Sequence, residues 1–247
     1  EEDDEEVVGF LDAAAVLRHS IHKYSLFNPS PMAQHNYKLY ALVHSACEEY
    51  APILENMGYT TLVRDPPVLV DDIEGEGYYK DNVNSDGCCG LDEFIKLYAY
   101  TLTDHPVAVV LDLDSVLLGP LDRLIDGIVL DADSTQGMHV RKLLEGEREN
   151  PYLRIPVRVD AFFTRDYVNA LPWKDIAGIQ SGFLVLRPDQ DVFDELVEII
   201  KTGNDNYTKF NNTAEIEYGE DTNSGWLGMG FGEFYGGMTM PGLLAFY

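Results

Sequence analysis

The sequence predicts a single α/β domain in which helices flank a mostly parallel central sheet. Residues 38–43 and 59–63 have the apolar, β-branched character of strands, and residues 47–56 between them have a helical pattern. Such strand–helix–strand alternation is typical of a parallel sheet. A further apolar run over residues 107–111 is typical of a buried parallel strand. With 247 residues, 45% of them hydrophobic, and no linker-like stretch, the chain can bury one large core.

The other elements follow from periodicity and from turn-forming residues along the chain. Apolar positions at helical spacing predict helices, whereas proline-rich or charged stretches predict loops. Loops or insertions are predicted over 27–36, 71–90 and 132–150, helices over 11–22, 91–102, 120–125 and 189–201, and strands over 157–164 and 179–186.

The net charge of -26, from 43 acidic and 17 basic residues, restricts the partners of this chain. Because nucleic-acid binders need a basic surface to neutralise phosphates, the composition argues against a nucleic-acid partner. An anionic small ligand would be repelled unless a cation bridged it to the protein. The consecutive acids Glu1–Glu6 are typical of a solvated arm. We therefore expect residues 1–9 to be a disordered arm and residues 10–247 to be the folded domain.

Three further features of the sequence bear on membrane contact, on disulfide formation and on the cellular location of the protein. No apolar run approaches the roughly 20 residues that a membrane-spanning helix needs, so we expect no membrane contact from this segment. The three cysteines form no disulfide framework, and Cys88 and Cys89 are predicted to lie in a tight turn between glycines. Sequons at Asn206 and Asn211 favour a Golgi or secretory lumen, while a cytoplasmic location stays open.

The candidate functional site begins with two acids that directly follow the apolar run at 107–111. In an extended strand the side chains of Asp112 and Asp114 lie on the same face, and Leu113 lies on the other. Two neighbouring carboxylates are costly unless a positive charge lies between them, and hard divalent cations take oxygen ligands. We therefore predict that these two acids share one divalent cation, which can bind a diphosphate. The alternative is that one acid caps the next helix and the other is solvated.

Two further groups of residues are candidates for binding a ligand. Lys96 lies between apolar neighbours on the predicted helix 91–102, and a partly buried lysine needs a partner such as a diphosphate. A solvated surface lysine is the alternative. Small polar groups at the entry of a strand can bind sugar hydroxyls, and glycine allows close backbone approach. The residues in that position are Gln180, Ser181 and Gly182, for which an ordinary turn is the alternative.

The block Leu91–Asp126 resembles glycosyltransferase family 8, the glycogenin-like retaining glycosyltransferases. It contains the lysine of Leu-Asp-Glu-Phe-Ile-Lys-Leu-Tyr and the acids of Val-Val-Leu-Asp-Leu-Asp. The segment Gln180–Pro188 is similar to the family's Asn-Ser-Gly strand with its following Arg-Pro, and residues 10–21 are similar to an early helix of the family. The resemblance extends over residues 10–247. It implies one Rossmann-like nucleotide-diphospho-sugar transferase domain of the GT-A type.

The resemblance also implies an activity and a set of site residues. The donor would be a UDP-sugar and the cofactor Mn²⁺ or Mg²⁺. A hexosyl group would pass, with retention, to a hydroxyl of a saccharide or protein acceptor, and the oligomeric state stays open. The residues assigned in this way are Asp112 and Asp114 as metal ligands and Lys96, Leu113, Gln180, Ser181 and Gly182 as contacts of the nucleotide-sugar.

The chain departs from the family at positions that would complete the site. The family's Asp-Gln-Gly-Leu-Leu-Asn block corresponds to Met240–Ala245, which contains no carboxylate or side-chain amide. The family's asparagine is Gln180 here, and its downstream metal-ligating histidine has no counterpart before Tyr247. We therefore assign no catalytic nucleophile, and we expect the catalytic domain to be truncated at its C-terminus.

Two other functions are compatible with the same pair of acids. A phosphatase of the haloacid-dehalogenase type also has Asp-x-Asp after an apolar strand, and Asp112 would there attack a phosphate. That motif normally opens its domain, whereas here the acids follow a long α/β segment. A non-catalytic sugar-nucleotide-binding domain is the other alternative, and the replacement at Met240–Pro241 favours it.

Overall fold

The computed structural model describes residues 2–27, 35–74, 77–146, 155–171, 176–203, 226 and 236–247. These residues form a mixed α/β structure with one small parallel sheet and one small antiparallel sheet. The sequons at Asn206 and Asn211 lie outside the described residues.

The described residues contain helices, strands and 3₁₀ segments, and the α-helices and strands are numbered in chain order. The α-helices are α1 (Glu2–His22), α2 (Ala51–Asn56), α3 (Tyr78–Asn82), α4 (Asp122–Val129), α5 (Thr135–Glu145), α6 (Gln190–Thr202) and α7 (Met240–Phe246). The strands are β1 (Tyr40–His44), β2 (Thr60–Arg64), β3 (Ala108–Leu111), β4 (Ala161–Leu171) and β5 (Ile176–Leu186). A π-helical turn lies at Lys23–Phe27, and 3₁₀ segments lie at Ser45–Tyr50, Val70–Asp72, Val83–Ser85 and Gly90–Thr101, the last of which is named the Lys96 helix.

The chain divides into two compact units, each built from several separate segments. The first unit contains Glu1–Val63, Leu102–Phe162 and Gly182–Pro188, and the second contains Arg64–Thr101, Phe163–Ser181 and Asp189–Tyr247. The single domain predicted from the sequence is therefore not confirmed. No linker-like sequence marks this division, because the chain passes from one unit to the other inside strands such as β4 and β5.

The parallel sheet, formed by β1 and β2, confirms the predicted strand–helix–strand alternation. The Thr60 N–H donates to the Leu39 carbonyl oxygen at 2.8 Å. The connection contains α2, which has Pro52 in its first turn, where a proline removes no helical hydrogen bond. It ends at Gly58, whose φ of 94° favours glycine and allows the chain to leave the helix for β2.

Strand β3 pairs with β5 in an antiparallel register, which corrects the parallel orientation predicted for residues 107–111. Ala108 is opposite Leu186, and Leu111 is opposite Phe183. The predicted mostly parallel sheet is wrong for this strand, because an apolar run indicates burial on both faces and not the direction of the neighbouring strand.

The hydrophobic core of the first unit lies against this antiparallel pair. Val185 is fully buried and packs with Ile128 of α4 and with Val159. Arg187, at the end of β5, donates to the Ile128 carbonyl oxygen at 2.6 Å and lies 3.3 Å from the Asp160 carboxylate. Arginine in this position satisfies a carbonyl at the end of a helix, so it fixes the end of β5 to the last turn of α4.

The second unit contains the two helices that the periodicity predicts most closely. The helix predicted over 91–102 is the Lys96 helix, and the helix predicted over 189–201 is α6, each displaced by one residue. The rings of Tyr98 and Phe193 pack at a centroid distance of 5.4 Å, and Leu196 is fully buried. The apolar face of α6 thus holds the Lys96 helix in place.

Helix α1 begins at Glu2 and so includes most of the acidic stretch for which a disordered arm is predicted. Its buried residues Ala14 and Leu17 lie in the part predicted to be helical, over 11–22. A membrane-crossing helix is not found in the described ranges, since none of their helices combines the required length with sufficient hydropathy.

Gly137, in the first turn of α5, provides a test of how closely this helix packs against the loop before it. A Cβ atom at Gly137 would overlap the Asp131 carbonyl oxygen, whereas a Cβ atom at Gly9 in α1 would meet nothing within 4 Å. Gly137→Ala is expected to lower the free energy of unfolding by about 2 kcal/mol or more. The control Gly9→Ala is expected to leave it unchanged or to raise it by up to about 1 kcal/mol. Urea unfolding measures both, and equal stabilities of the two variants would contradict this packing of α5.

Candidate functional site

The chain turns immediately after β3 instead of continuing as a strand. The Asp112 N–H donates to the Gly182 carbonyl oxygen at 3.0 Å, and the Ser115 N–H donates to the Asp112 carbonyl oxygen at 3.0 Å. Residues 112–115 therefore form a β-turn. The predicted placement of Asp112 and Asp114 on one face of an extended strand is wrong, because a turn does not follow the two-residue period of a strand.

The turn places the two acids in different environments. Asp112 is half-buried, whereas Asp114 is exposed. Leu113 between them is 40% exposed, and Leu118 further along the loop is 82% exposed. An exposed carboxylate keeps its hydration and has no burial cost to offset. Asp114 is therefore accessible to a ligand that arrives from solvent.

The donor groups of this turn limit the kind of cation that it can hold. Within the described ranges, no three His, Cys, Asp or Glu side chains come together as a metal site. Two carboxylates fit a different arrangement, in which Mg²⁺ or Mn²⁺ keeps water ligands and takes further oxygens from substrate phosphates. Asp112 and Asp114 could thus hold a cation together with a diphosphate.

Lys96 and Ser181 meet at a buried carboxylate that the sequence analysis does not single out. The Glu93 carboxylate lies 3.5 Å from the Lys96 ammonium and accepts a hydrogen bond from the Ser181 hydroxyl. The side chains of Glu93 and Lys96 are only 6% and 16% exposed. The lysine that was expected to need a diphosphate thus has a carboxylate from its own helix beside it. The sequence signal for this pair is a glutamate three residues before the lysine.

The buried carboxylate determines what its two partners can offer a ligand. The Glu93 carboxylate provides a counter-charge 3.5 Å from the Lys96 ammonium, which offsets the cost of burying it. A serine hydroxyl has one proton to donate, and that of Ser181 is used on Glu93. Ser181 can therefore only accept a hydrogen bond from a further group, such as a sugar hydroxyl.

Strand β5 begins before the three residues that were predicted to form its entry. Gln180, Ser181 and Gly182 lie inside the strand, which starts at Ile176. The prediction of a strand entry is wrong because glycine and serine are tolerated where a neighbouring strand approaches closely, as β3 does at Gly182. Gln180 has an exposed side chain, whereas Ser181 is 6% exposed and Gly182 is buried.

The predicted site residues therefore come together in two groups. In the first unit, Gly182 lies against Asp112 where β5 pairs with the end of β3. In the second unit, Ser181 and Lys96 share the Glu93 carboxylate. Each group is held by contacts within its own unit.

The stretch Met240–Ala245, at the position of the family's Asp-Gln-Gly block, lies in α7 and is part of the core. Met240 itself is fully buried. The turn before α7 is held by Asp86, whose carboxylate accepts the N–H groups of Met238 at 2.7 Å and Gly236 at 3.3 Å. Burial raises the pKa of the Asp86 carboxyl, and these backbone hydrogen bonds oppose that shift. This segment contributes packing, and it offers no nucleophile.

The sequence was compared with models of known protein families and with curated proteins. No model of a known protein family matches the sequence, and no curated protein matches it either. The resemblance seen in Leu91–Asp126 and Gln180–Pro188 therefore rests on those residues alone.

The Glu93 cluster can be tested by stability measurements. Glu93→Gln removes a buried charge that pairs with Lys96 and is expected to lower the free energy of unfolding by about 1–2 kcal/mol. Glu93→Ala also removes the acceptor of Ser181 and is expected to cost about 3 kcal/mol.

The control for this prediction is Glu49→Gln, because Glu49 is exposed. Its expected effect lies within about 0.5 kcal/mol of zero. Denaturant unfolding compares the three variants. A Glu93→Gln variant as stable as the wild type, or more stable, would show that the buried carboxylate does not stabilise its partners.

Proposed function

We propose that this chain is a metal-dependent glycosyltransferase that moves a hexosyl group, with retention, from a UDP-sugar to a hydroxyl of a saccharide or protein. The observation that carries the proposal is the turn at Asp112–Asp114, where two carboxylates one residue apart follow a buried strand and one of them is open to solvent. Further support comes from the resemblance of Leu91–Asp126 and Gln180–Pro188 to glycosyltransferase family 8. A Rossmann-like domain of the GT-A type is part of the same proposal, and the mixed α/β content is compatible with it.

The metal would be held by Asp112 and Asp114, together with oxygens of the donor diphosphate. When bound, Mn²⁺ or Mg²⁺ supplies Lewis-acid stabilisation of the diphosphate leaving group. This assignment also explains how an acidic protein could bind an anionic donor. A chain with a net charge of -26 repels a UDP-sugar unless positive charge lies where the diphosphate binds.

The roles of the remaining residues rest on the resemblance. We assign Lys96 to the diphosphate, Leu113 to the nucleotide, and the trio Gln180, Ser181 and Gly182 to the transferred sugar. In the reaction, the bond between the anomeric carbon and the diphosphate would break with its electron pair on UDP, and the acceptor oxygen would bond to that carbon as its proton passes to the departing UDP oxygen. A fixed ammonium stabilises the charge that develops on UDP, and the Glu93 carboxylate 3.5 Å away holds the Lys96 ammonium in place.

A second candidate function is a domain that binds a UDP-sugar without transferring the sugar. The burial of Met240 favours it, because the family's aspartate position is a core methionine here. Both candidates require a cation at Asp112 and Asp114, so they differ only in turnover.

The metal assignment is tested with Asp114→Asn, which removes one charged ligand from an exposed position. Both UDP affinity in Mn²⁺ and turnover of UDP-hexoses in Mn²⁺ are expected to fall by about 100-fold or more, since a bound cation contributes several kcal/mol. Calorimetry measures the binding of UDP, and UDP release measures turnover. The matched control is Asp133→Asn, which changes an exposed acid of the same unit and is expected to alter neither quantity.

The outcomes separate the candidate functions. Binding of UDP that depends on Mn²⁺ and Asp114, with no turnover in the wild type, would select the binding domain. Unchanged turnover in Asp114→Asn would contradict the metal assignment. A phosphorylated Asp112 trapped from a phosphate ester would favour the phosphatase instead.

The role of Lys96 is tested in a background that keeps the buried charges balanced. Because Lys96→Met alone leaves Glu93 beside an apolar side chain, the double variant Glu93→Gln/Lys96→Met is the better probe. It is expected to bind UDP at least ~10-fold more weakly while it keeps the dependence on Mn²⁺. Lys142→Met, at an exposed lysine, is the control. Wild-type affinity in the double variant would remove Lys96 from the donor site.

A further inference from the structure

Two adjacent cysteines lie at the surface with their sulfur atoms together. Cys88 and Cys89 are both exposed, and their Sγ atoms are 2.7 Å apart. Consecutive residues commonly direct their side chains apart, so this approach needs a particular backbone conformation. The third cysteine, Cys47, is also exposed and belongs to the other unit.

The backbone of the turn that carries these thiols is fixed by its two glycines. Gly87 and Gly90 have φ values of 65° and 56°, which favour glycine. A Cβ atom at Gly90 would lie 2.5 Å from the Asn84 carbonyl oxygen, so no larger residue fits there. The Gly90 N–H also donates to the Asp86 carbonyl oxygen at 3.2 Å. The tight turn predicted for this stretch is thus confirmed, and its backbone places the two cysteines side by side.

We infer that Cys88 and Cys89 form a reversible oxidation site, at which the two thiols exchange with a small-molecule disulfide to give a bond between adjacent cysteines. In the first step a thiolate of the pair attacks the small disulfide, forms a mixed disulfide and releases one thiol. In the second step the neighbouring cysteine attacks the mixed disulfide and releases the other thiol. Two electrons and two protons pass from the cysteines to the small disulfide, which is reduced to two thiols.

Either cysteine of the pair can attack the small disulfide, and its neighbour then closes the bond. Although Cys89 is exposed, partial burial of its thiol, and then the neighbouring Cys88 thiol, raise the pKa of Cys89 to about 12. Once one cysteine is part of a mixed disulfide, its thiol no longer donates a hydrogen bond to the other sulfur.

The bond would be easy to reduce because adjacent residues are poorly placed for a disulfide. Consecutive Cα atoms are about 3.8 Å apart, whereas the Cα atoms of disulfide-bonded cysteines are usually about 4.4–6.8 Å apart. Strained and exposed disulfides have more oxidising potentials and exchange readily. The site is therefore suited to reversible oxidation and not to permanent cross-linking.

A thiol count on the full chain tests this inference. The reduced protein is equilibrated with mixtures of glutathione and glutathione disulfide, quenched in acid, alkylated under denaturing conditions and weighed as intact monomer. We expect the wild type to lose two of its three alkylatable thiols together, with the loss of two hydrogen atoms. Trypsin then places both missing thiols in the single peptide 81–96, which contains Cys88 and Cys89 but not Cys47.

Variants of the cysteines decide the assignment. Cys47→Ser keeps the pair and is expected to lose both of its thiols, whereas Cys88→Ser and Cys89→Ser are expected to form no bond between cysteines and to lose a thiol only as a glutathione adduct, which adds mass. The inference is overturned if the wild type keeps three thiols at every ratio, if Cys88→Ser loses two thiols without gaining the mass of an adduct, or if a glutathione adduct persists on Cys88 or Cys89 of the wild type. The count requires no UDP-sugar, so its result is independent of the proposed transferase activity.

Discussion

The pairing of β3 with β5 is the constraint on which the candidate metal site depends. Leu111 is opposite Phe183 in this register, so the next residues, Asp112 and Gly182, are joined by an N–H to carbonyl hydrogen bond of 3.0 Å. Two motifs that lie far apart in the sequence thus meet at the point where β3 ends. Val185, buried at the centre of the pair, ties this register to the core of the first unit. A shift of one residue would turn the buried side chains of β5 outward and would separate the two motifs.

The second unit shows how a buried charge can position a candidate binding residue. Lys96 lies in an apolar setting, where an isolated ammonium would be costly, and Glu93 offsets that cost from one helical turn away. Ser181 completes the arrangement by donating to the same carboxylate. A lysine whose only partner was a diphosphate would be buried without a counter-charge in the absence of ligand. The cluster therefore stabilises the folded protein without a ligand, and a role of Lys96 in binding would be additional.

Parts of this structure could be predicted from the sequence because they depend on local periodicity. The Lys96 helix, α6 and the strand before Asp112 follow from the spacing of apolar residues. The antiparallel direction of β3 depends on a partner that is distant in the chain, and no local pattern encodes it. The turn at 112–115 does have a local signal, since aspartate and serine favour turns, but the strand pattern dominated the prediction. The link between Ser181 and Glu93 is non-local, so only the glutamate–lysine spacing could have indicated half of it.

The most direct test of the central claim is the site of paramagnetic broadening in amide NMR spectra of the isotope-labelled chain. The account predicts that Mn²⁺ with UDP broadens the amide signals of Asp112, Asp114 and Gly182 strongly, while that of Met138 in α5 keeps its intensity and Mg²⁺ with UDP broadens none of them. Broadening confined to the acidic residues of α1, or broadening at Asp112 and Asp114 that is the same with and without UDP, would contradict a cation that is shared with the diphosphate.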